Sequence, residues 1–180
     1  MAAVLPAAYR LLGYLPDPLR RFVIGRFSPA HRVGTTAIVR DGPRILLARH
    51  TYRKGWTLPG GMLGWNEHPG ETIVREMREE AGLATVAVGE PFVYVVRRPR
   101  WLEFVYELDL AEGVVAADAR AASPEIAEVA WFVDPDETVG LMDRRAAELL
   151  AWVDEMNEAR RGAGGTLTDG RAVGEADPGA

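Results

Sequence analysis

The chain has 180 residues, 48% of them hydrophobic, and a formal net charge of −5. That length suits one compact domain with extensions, and the acidic balance argues against a general nucleic-acid surface, which needs a basic surplus on at least one face. Cysteine is absent, which excludes disulfides, thiolate metal sites and cysteine nucleophiles.

His31, His50 and His68 lack metal-ligand spacing. No apolar run approaches the ~18 residues of a membrane span, and Arg10 interrupts the N-terminal stretch that could imitate a signal peptide. A soluble, cytoplasmic protein with a small or locally recognised partner is expected.

Residues 1–30 read as a helical extension, two short helices broken by Pro16 and Pro18. Arg10, Arg20, Arg21 and Arg26 against Asp17 leave it at +3. A basic amphipathic segment can lie on an anionic membrane, but packing on its own domain or on a second subunit, as in a homodimer, is the expected use. From Val33 the pattern turns to β: VGTTAIVR, a turn at Asp41-Gly42-Pro43, then RILLARH, which together read as a hairpin.

A glycine-rich stretch and a charged helix over 69–81 follow, with Pro69 suited to the first turn and Gly82 to the position past the end. AVGEPFVYVV and WLEFVYELDL are β-rich runs joined by RRPR; the second alternates Leu102, Phe104, Tyr106 and Leu108 against Glu103, Val105, Glu107 and Asp109, as a half-buried strand should. EVAWFV is a short last strand. DRRAAELLAWVDEMNEARR is a long helix with Ala147, Leu150, Ala151 and Met156 among its charges. The core domain spans 31–161, and 162–180 carries too little apolar surface to fold, so it reads as a disordered tail.

The charged helix contains REMREEAG, in which Glu76, Glu79 and Glu80 project from one side at ~100° per residue. Glu76 and Glu80 form a like-charge i,i+4 pair, which costs a few tenths of a kcal/mol in water. A solvated face normally alternates its signs. A hard divalent cation such as Mg²⁺ takes oxygen ligands and bridges phosphates, so it would turn this repulsion into coordination. The preceding LPGGMLGWNEHPG has Gly60 and Gly61, which permit close backbone approach and a carbonyl ligand.

Gly61, five residues, Glu67, seven residues, then Arg75-Glu76-Met77-Arg78-Glu79-Glu80-Ala81-Gly82-Leu83 fills all nine restricted positions of a 23-residue signature. In this the chain resembles the Nudix hydrolases, which act on nucleoside diphosphates linked to another moiety. The resemblance implies an α/β/α sandwich with a mixed sheet. It also implies that Glu76, Glu79 and Glu80, with the Gly61 or Gly60 carbonyl, bind Mg²⁺ (or Mn²⁺ in its place), that Arg75 orients a carboxylate, and that Glu67 steadies the loop by pairing with Arg75. Glu76 is one candidate base. Glu125, six residues before Trp131, matches an acid that many members use as a further ligand or as the general base, while Glu128 reads as a plain surface residue and Arg78 as solvent-exposed.

Substrate choice lies outside the shared box. Arg49, Arg53 and Arg98 are candidate phosphate contacts, and Tyr52, Trp56 and Trp65 candidate stacking partners. Pro99, about sixteen residues beyond the box, resembles a feature of ADP-ribose pyrophosphatases. ADP-ribose-like, nucleoside triphosphate and capped-RNA substrates all stay open. The competing class is a non-catalytic Nudix nucleotide sensor or interaction module, against which the undamaged box argues. An isoprenyl diphosphate isomerase is disfavoured by the missing cysteine.

Overall fold

Alternation of the β-rich runs is realised as an eight-stranded mixed sheet. The computed structural model describes residues 12–27, 30–96, 100–133, 140–162 and 173–175. Its strands are β1 (Arg32–Asp41), β2 (Arg44–His50), β3 (Gly60–Met62), β4 (Thr85–Ala87), β5 (Phe92–Val96), β6 (Trp101–Leu110), β7 (Ile126–Val133) and β8 (Val173–Glu175), in the order β7-β2-β1-β6-β5-β8, with β3 paired to β1 and β4 to β6. The β1–β6 and β5–β8 pairs are parallel and the others antiparallel.

One helix covers each face. On one side Ala37, Val39, Leu46, Tyr106 and Leu108 pack with Ile73, Met77 and Ala81 of α2 (Pro69–Ala81). On the other, Ile38, Ile45, Leu47 and Val105 pack with Ala146, Leu149, Leu150 and Val153 of α3 (Arg144–Gly162). The odd–even split along β1, β2 and β6 is the period of two expected of strands.

The α/β/α sandwich agrees with the expected fold, but two details differ. The expected wet set of β6 is only partly so: Asp109 is exposed, but Glu103 and Val105 are 5% and 0% exposed, because α3 covers that part of the face. On α3 the buried stripe is Ala146, Leu149, Leu150 and Val153, while Ala147 and Ala151 face outward. Asp143 caps this helix, its Oδ1 accepting from the Ala146 amide at 2.8 Å.

The β1–β2 hairpin splays. The two strands pair only beside their turn, at Arg40 with Ile45 and Asp41 with Arg44. Beyond it the 57–62 segment wedges between them: Ala37 donates to the Pro59 carbonyl at 2.8 Å, Thr57 bridges Ala48, and the glycine-rich loop becomes β3 against Gly34, Thr35 and Thr36.

Contact density divides the chain into 1–31 and 32–180. In the first unit the second of the two expected helices is α1 (Asp17–Phe27), with Arg20 paired to Asp17; the first lies mostly outside the described residues. Within the expected tail, β8 adds to the edge of β5. Such an edge offers free backbone groups and asks for no large side chain. Among the described residues no helix is long and apolar enough to cross a membrane.

Gly60 closes the wedge with φ +151°, and a Cβ there would overlap the Thr35 carbonyl oxygen. Gly82 ends α2 at φ +66°, where the nearest atoms a Cβ would meet belong to the Arg120 side chain, at 3.2 Å. Gly82→Ala should therefore cost about 1 kcal/mol, the strain of a left-handed residue. Gly60→Ala should cost about 3 kcal/mol or more, since backbone must also move. Urea denaturation of the two variants checks the order, and equal midpoints would contradict it.

Candidate active site

α2 is held at both ends. The His68 side chain accepts from the Gly70 amide at 3.2 Å while Glu71 accepts from the His68 amide at 3.1 Å, a reciprocal cap, and Pro69 fills the first helical position. Ile73, Met77 and Ala81 anchor its inner face, which fixes the direction of Glu76, Glu79 and Glu80.

One guanidinium serves three of the nearby acids. Arg75 forks onto Glu67, Nε to Oε1 at 2.8 Å and Nη2 to Oε2 at 3.0 Å. Its Nη1 donates to Glu76 Oε1 at 2.8 Å and to Glu79 Oε2 at 2.9 Å. The Gly64 amide adds a 2.9 Å bond to Glu67, so the loop is tied to the helix as expected. Arg75's hydrogen bonds, then that of Gly64, hold the Glu67 carboxyl down at about 2. Burial pushes Glu76 upward, and Arg75 opposes the shift.

Glu80 is different. It is 7% exposed, accepts from the Gly60 amide at 2.9 Å, and has no cationic partner among the described residues. Burial pushes its carboxyl up to about 7, against the Gly60 bond, and the charges of Glu76, Glu125 and Glu79 push the same way. Gly61 lies against Glu76 so closely that a Cβ would overlap the carboxylate. Its carbonyl takes the Thr35 hydroxyl at 3.4 Å, at the position where Gly61 pairs with Thr35 across the β1–β3 ladder.

Glu76, Glu79, Glu80, Arg75 and Gly61 are thus brought together. Among the described residues no three acidic or histidine side chains close into a finished ligand cage, because Arg75 draws Glu76 and Glu79 to itself. The donor set still fits a hard divalent cation: every donor is oxygen, and acids outnumber guanidiniums around a buried, unpaired carboxylate.

Glu125 is exposed just before β7, its carbonyl fixed by the Thr51 amide at 2.9 Å and hydroxyl at 3.2 Å. Its charge reaches both Glu80 and His50. Arg53 stands over the Tyr52 ring at 5.9 Å and has no acidic partner among the described residues. Arg49 is tied to Glu128 at 2.8 Å, so Glu128 is a surface residue with a partner. Arg98 and Pro99 lie outside the described residues. Arg78 is exposed as expected; Trp65 is fully exposed and Tyr52 mostly so, whereas Trp56 packs edge-on against Phe132.

A cavity of about 190 Å³ opens beside Gly60 and Gly61, and its walls include Arg53, His50, Trp101, Glu103 and Arg145. His50 is 7% exposed, with its Nδ1 unpartnered among the described residues; burial, then Arg53, lowers its pKa, while Glu125 and Asp143 oppose. The last three wall residues and His50 were not among the sequence candidates. The signal that bears on Glu103 is its place at an odd position of β6, in register with Gly34 of a strand buried on both faces.

The NUDIX domain family model matches residues 30–153. A MutT-like protein of Streptomyces ambofaciens is 30% identical over 124 residues, covering 68% of this chain and 74% of that one. An RNA pyrophosphohydrolase of Xanthomonas oryzae is 35% identical over 72 residues, 40% of this chain, and the chain spans about a third (33%) of that protein's length. Among solved structures, a NUDIX hydrolase from Nitrosomonas europaea superposes with a TM-score of 0.64 at 20% identity, over 83% of this chain and 80% of that one, which bears on fold alone. A family model that fits most of the chain, over a sandwich whose capped helix carries the box residues from Arg75 to Ala81, makes the protein a member of the Nudix hydrolase family.

Proposed function

We propose that this Nudix hydrolase cleaves a phosphoanhydride bond in a nucleoside diphosphate derivative and that it requires Mg²⁺. The observation that carries the reading is Glu80, a buried carboxylate with no cationic partner among the described residues, ringed by the charges of Glu76, Glu79 and Glu125. Such a group is costly unless something positive joins it. ADP-ribose-like compounds and nucleoside triphosphates are the substrate types that fit.

Glu76, Glu79 and Glu80 with the Gly61 carbonyl would hold Mg²⁺. Bound there, the ion supplies charge neutralisation for the diphosphate oxygens and acidifies an attacking water. Arg75 keeps the Glu76 and Glu79 carboxylates from splaying into solvent. Glu125 is the base: its carboxylate has no ion-pair partner among the described residues, lies within electrostatic reach of Glu80, and can take a proton that Glu76, bonded to Arg75, is less free to accept. Arg53, on the cavity wall and without an acidic partner among the described residues, suits a phosphate oxygen, whereas Arg49 would first have to leave Glu128.

Glu79→Gln and Glu80→Gln should each lower turnover of the best substrate by roughly 10²- to 10³-fold, the scale on which removing one stabilising group acts. Product formation with Mg²⁺ and a panel of nucleotide derivatives measures it, beside a thermal melt showing the fold kept. Undiminished hydrolysis in both variants would remove the metal assignment.

Glu80 also sets a pH dependence of the metal-free protein. Its folded pKa of about 7 lies above the ordinary 4.5, so the folded state holds a proton that the unfolded chain releases. Stability is then greatest below 4.5 and falls as pH rises through 7, by up to about 3 kcal/mol on this group's account. In EDTA, the melting temperature of Glu80→Gln relative to the parent should climb between pH 4.5 and 8, and Mg²⁺ at pH 8 should raise that of the parent far more than that of the variant. Parallel pH profiles would count against a buried, cation-seeking Glu80.

A further inference from the structure

The cavity beside Gly60 and Gly61 has a polar wall that the hydrolytic chemistry does not use. Glu103, on the α3 side of β6, is 5% exposed. Its Oε1 accepts from the Thr36 hydroxyl at 2.6 Å, and its Oε2 accepts from the Trp101 indole and from Arg145 Nη2, the latter at 2.9 Å. Arg145 in turn lies over the Trp101 ring, 4.9 Å from its centre. Leu58 and Leu149 line the same space with apolar surface.

A carboxylate offers about four lone-pair positions, and three are taken. The one left is on Oε1. An ion pair whose cation is half exposed adds little net stability, and a buried carboxylate is costly to keep where an apolar residue of the same volume would pack. A glutamate kept at this depth, on a cavity wall shared with the Gly60–Gly61 turn, is therefore explained better by what enters the cavity than by folding. At about 190 Å³ the space is smaller than the ~300–1,000 Å³ of pockets for drug-sized ligands, and it suits a single ring.

We propose that Glu103 determines specificity by accepting a hydrogen bond from a neutral ring of the substrate that bears hydroxyl or amino donors, seated against Leu58 and Leu149 while the diphosphate lies at the neighbouring acids. The inference rests on the reading of those acids as the diphosphate site. Arg145 balances the charge, so a neutral donor is preferred; an anionic ring substituent would meet the carboxylate. Sugar hydroxyls and a base amine share this donor chemistry.

The test measures dissociation constants by calorimetry on the full chain carrying Glu79→Gln, with Mg²⁺, for ATP, 2′,3′-dideoxy-ATP and purine riboside 5′-triphosphate. Binding is read without turnover, so it stands apart from the hydrolysis assay: a chain that binds but never hydrolyses sinks the catalytic reading and leaves this one. ATP should bind about tenfold or more tightly than one of the two analogues, the scale of one hydrogen bond to a charged group. Weakness of the dideoxy compound assigns the donor to the sugar, and weakness of the purine riboside to the base.

Adding Glu103→Gln should erase that difference. Arg145→Gln, at a half-exposed position that can change without unfolding the chain, should retain it, because the acceptor stays. No binding, equal binding of all three by the starting chain, discrimination that survives Glu103→Gln in a folded protein, or its loss in Arg145→Gln would each overturn the proposal, the last by moving the role to the guanidinium.

Discussion

Glu67, Glu76, Glu79 and Glu80 crowd one short helix and its leading loop, and Arg75 is the cation that the first three share. Its five donors form a rigid fork, and four of them are directed to Glu67, Glu76 and Glu79 rather than to Glu80. Glu80 is left to the Gly60 amide, a neutral donor, in a buried place. A lysine at 75 could not substitute, since a point charge on a flexible stem does not fix three carboxylates at once. The arrangement is orderly but electrically incomplete, and that incompleteness is the chemical content of the site.

Holding such a cluster requires a helix that does not yield to its own repulsion. The His68–Glu71 cap and the Gly82 exit satisfy the terminal backbone groups. Ile73, Met77 and Ala81, each fully buried, set the other face into the sheet. Fully burying one large aliphatic side chain is worth about 1.5–3 kcal/mol, whereas like-charge pairs on a helix cost a few tenths each. Packing wins by a wide margin, so the acids stay gathered where solvent alone would let them fray.

Most of this could be read from the residues. Helix α2 has the expected bounds because Pro69 and Gly82 are local backbone signals, and the Arg75–Glu67 pair follows from loop-to-helix spacing. The hairpin was legible for the same reason. Features set by distant packing were not. Glu103 looked like the wet side of an alternating strand because nothing near it in sequence says that α3, some forty residues later, covers that face. The buried stripe of α3 ran one residue off for a related cause: with alanines at 146, 147 and 151, composition does not choose between neighbouring faces, and only contact with Phe92, Tyr94 and Val105 does. The glycine-rich stretch read as a loop because a three-residue strand carries no period.

The wedge at 57–62 ties these parts together. Had β1 and β2 paired along their whole length, the sheet would have been continuous there and its two faces separate. Because the strands part after the turn, the inserted segment reaches both sides: Gly60 gives its amide to Glu80 on the α2 side, while Thr57 and Leu58 border the cavity on the α3 side. The tip has no room for side chains, since Thr35 backbone lies against Gly60 and the Glu76 carboxylate against Gly61. Gly60 and Gly61 therefore do more than loosen a loop. They thin the sheet at one point, with the acids of α2 on one side of it and Glu103 on the other.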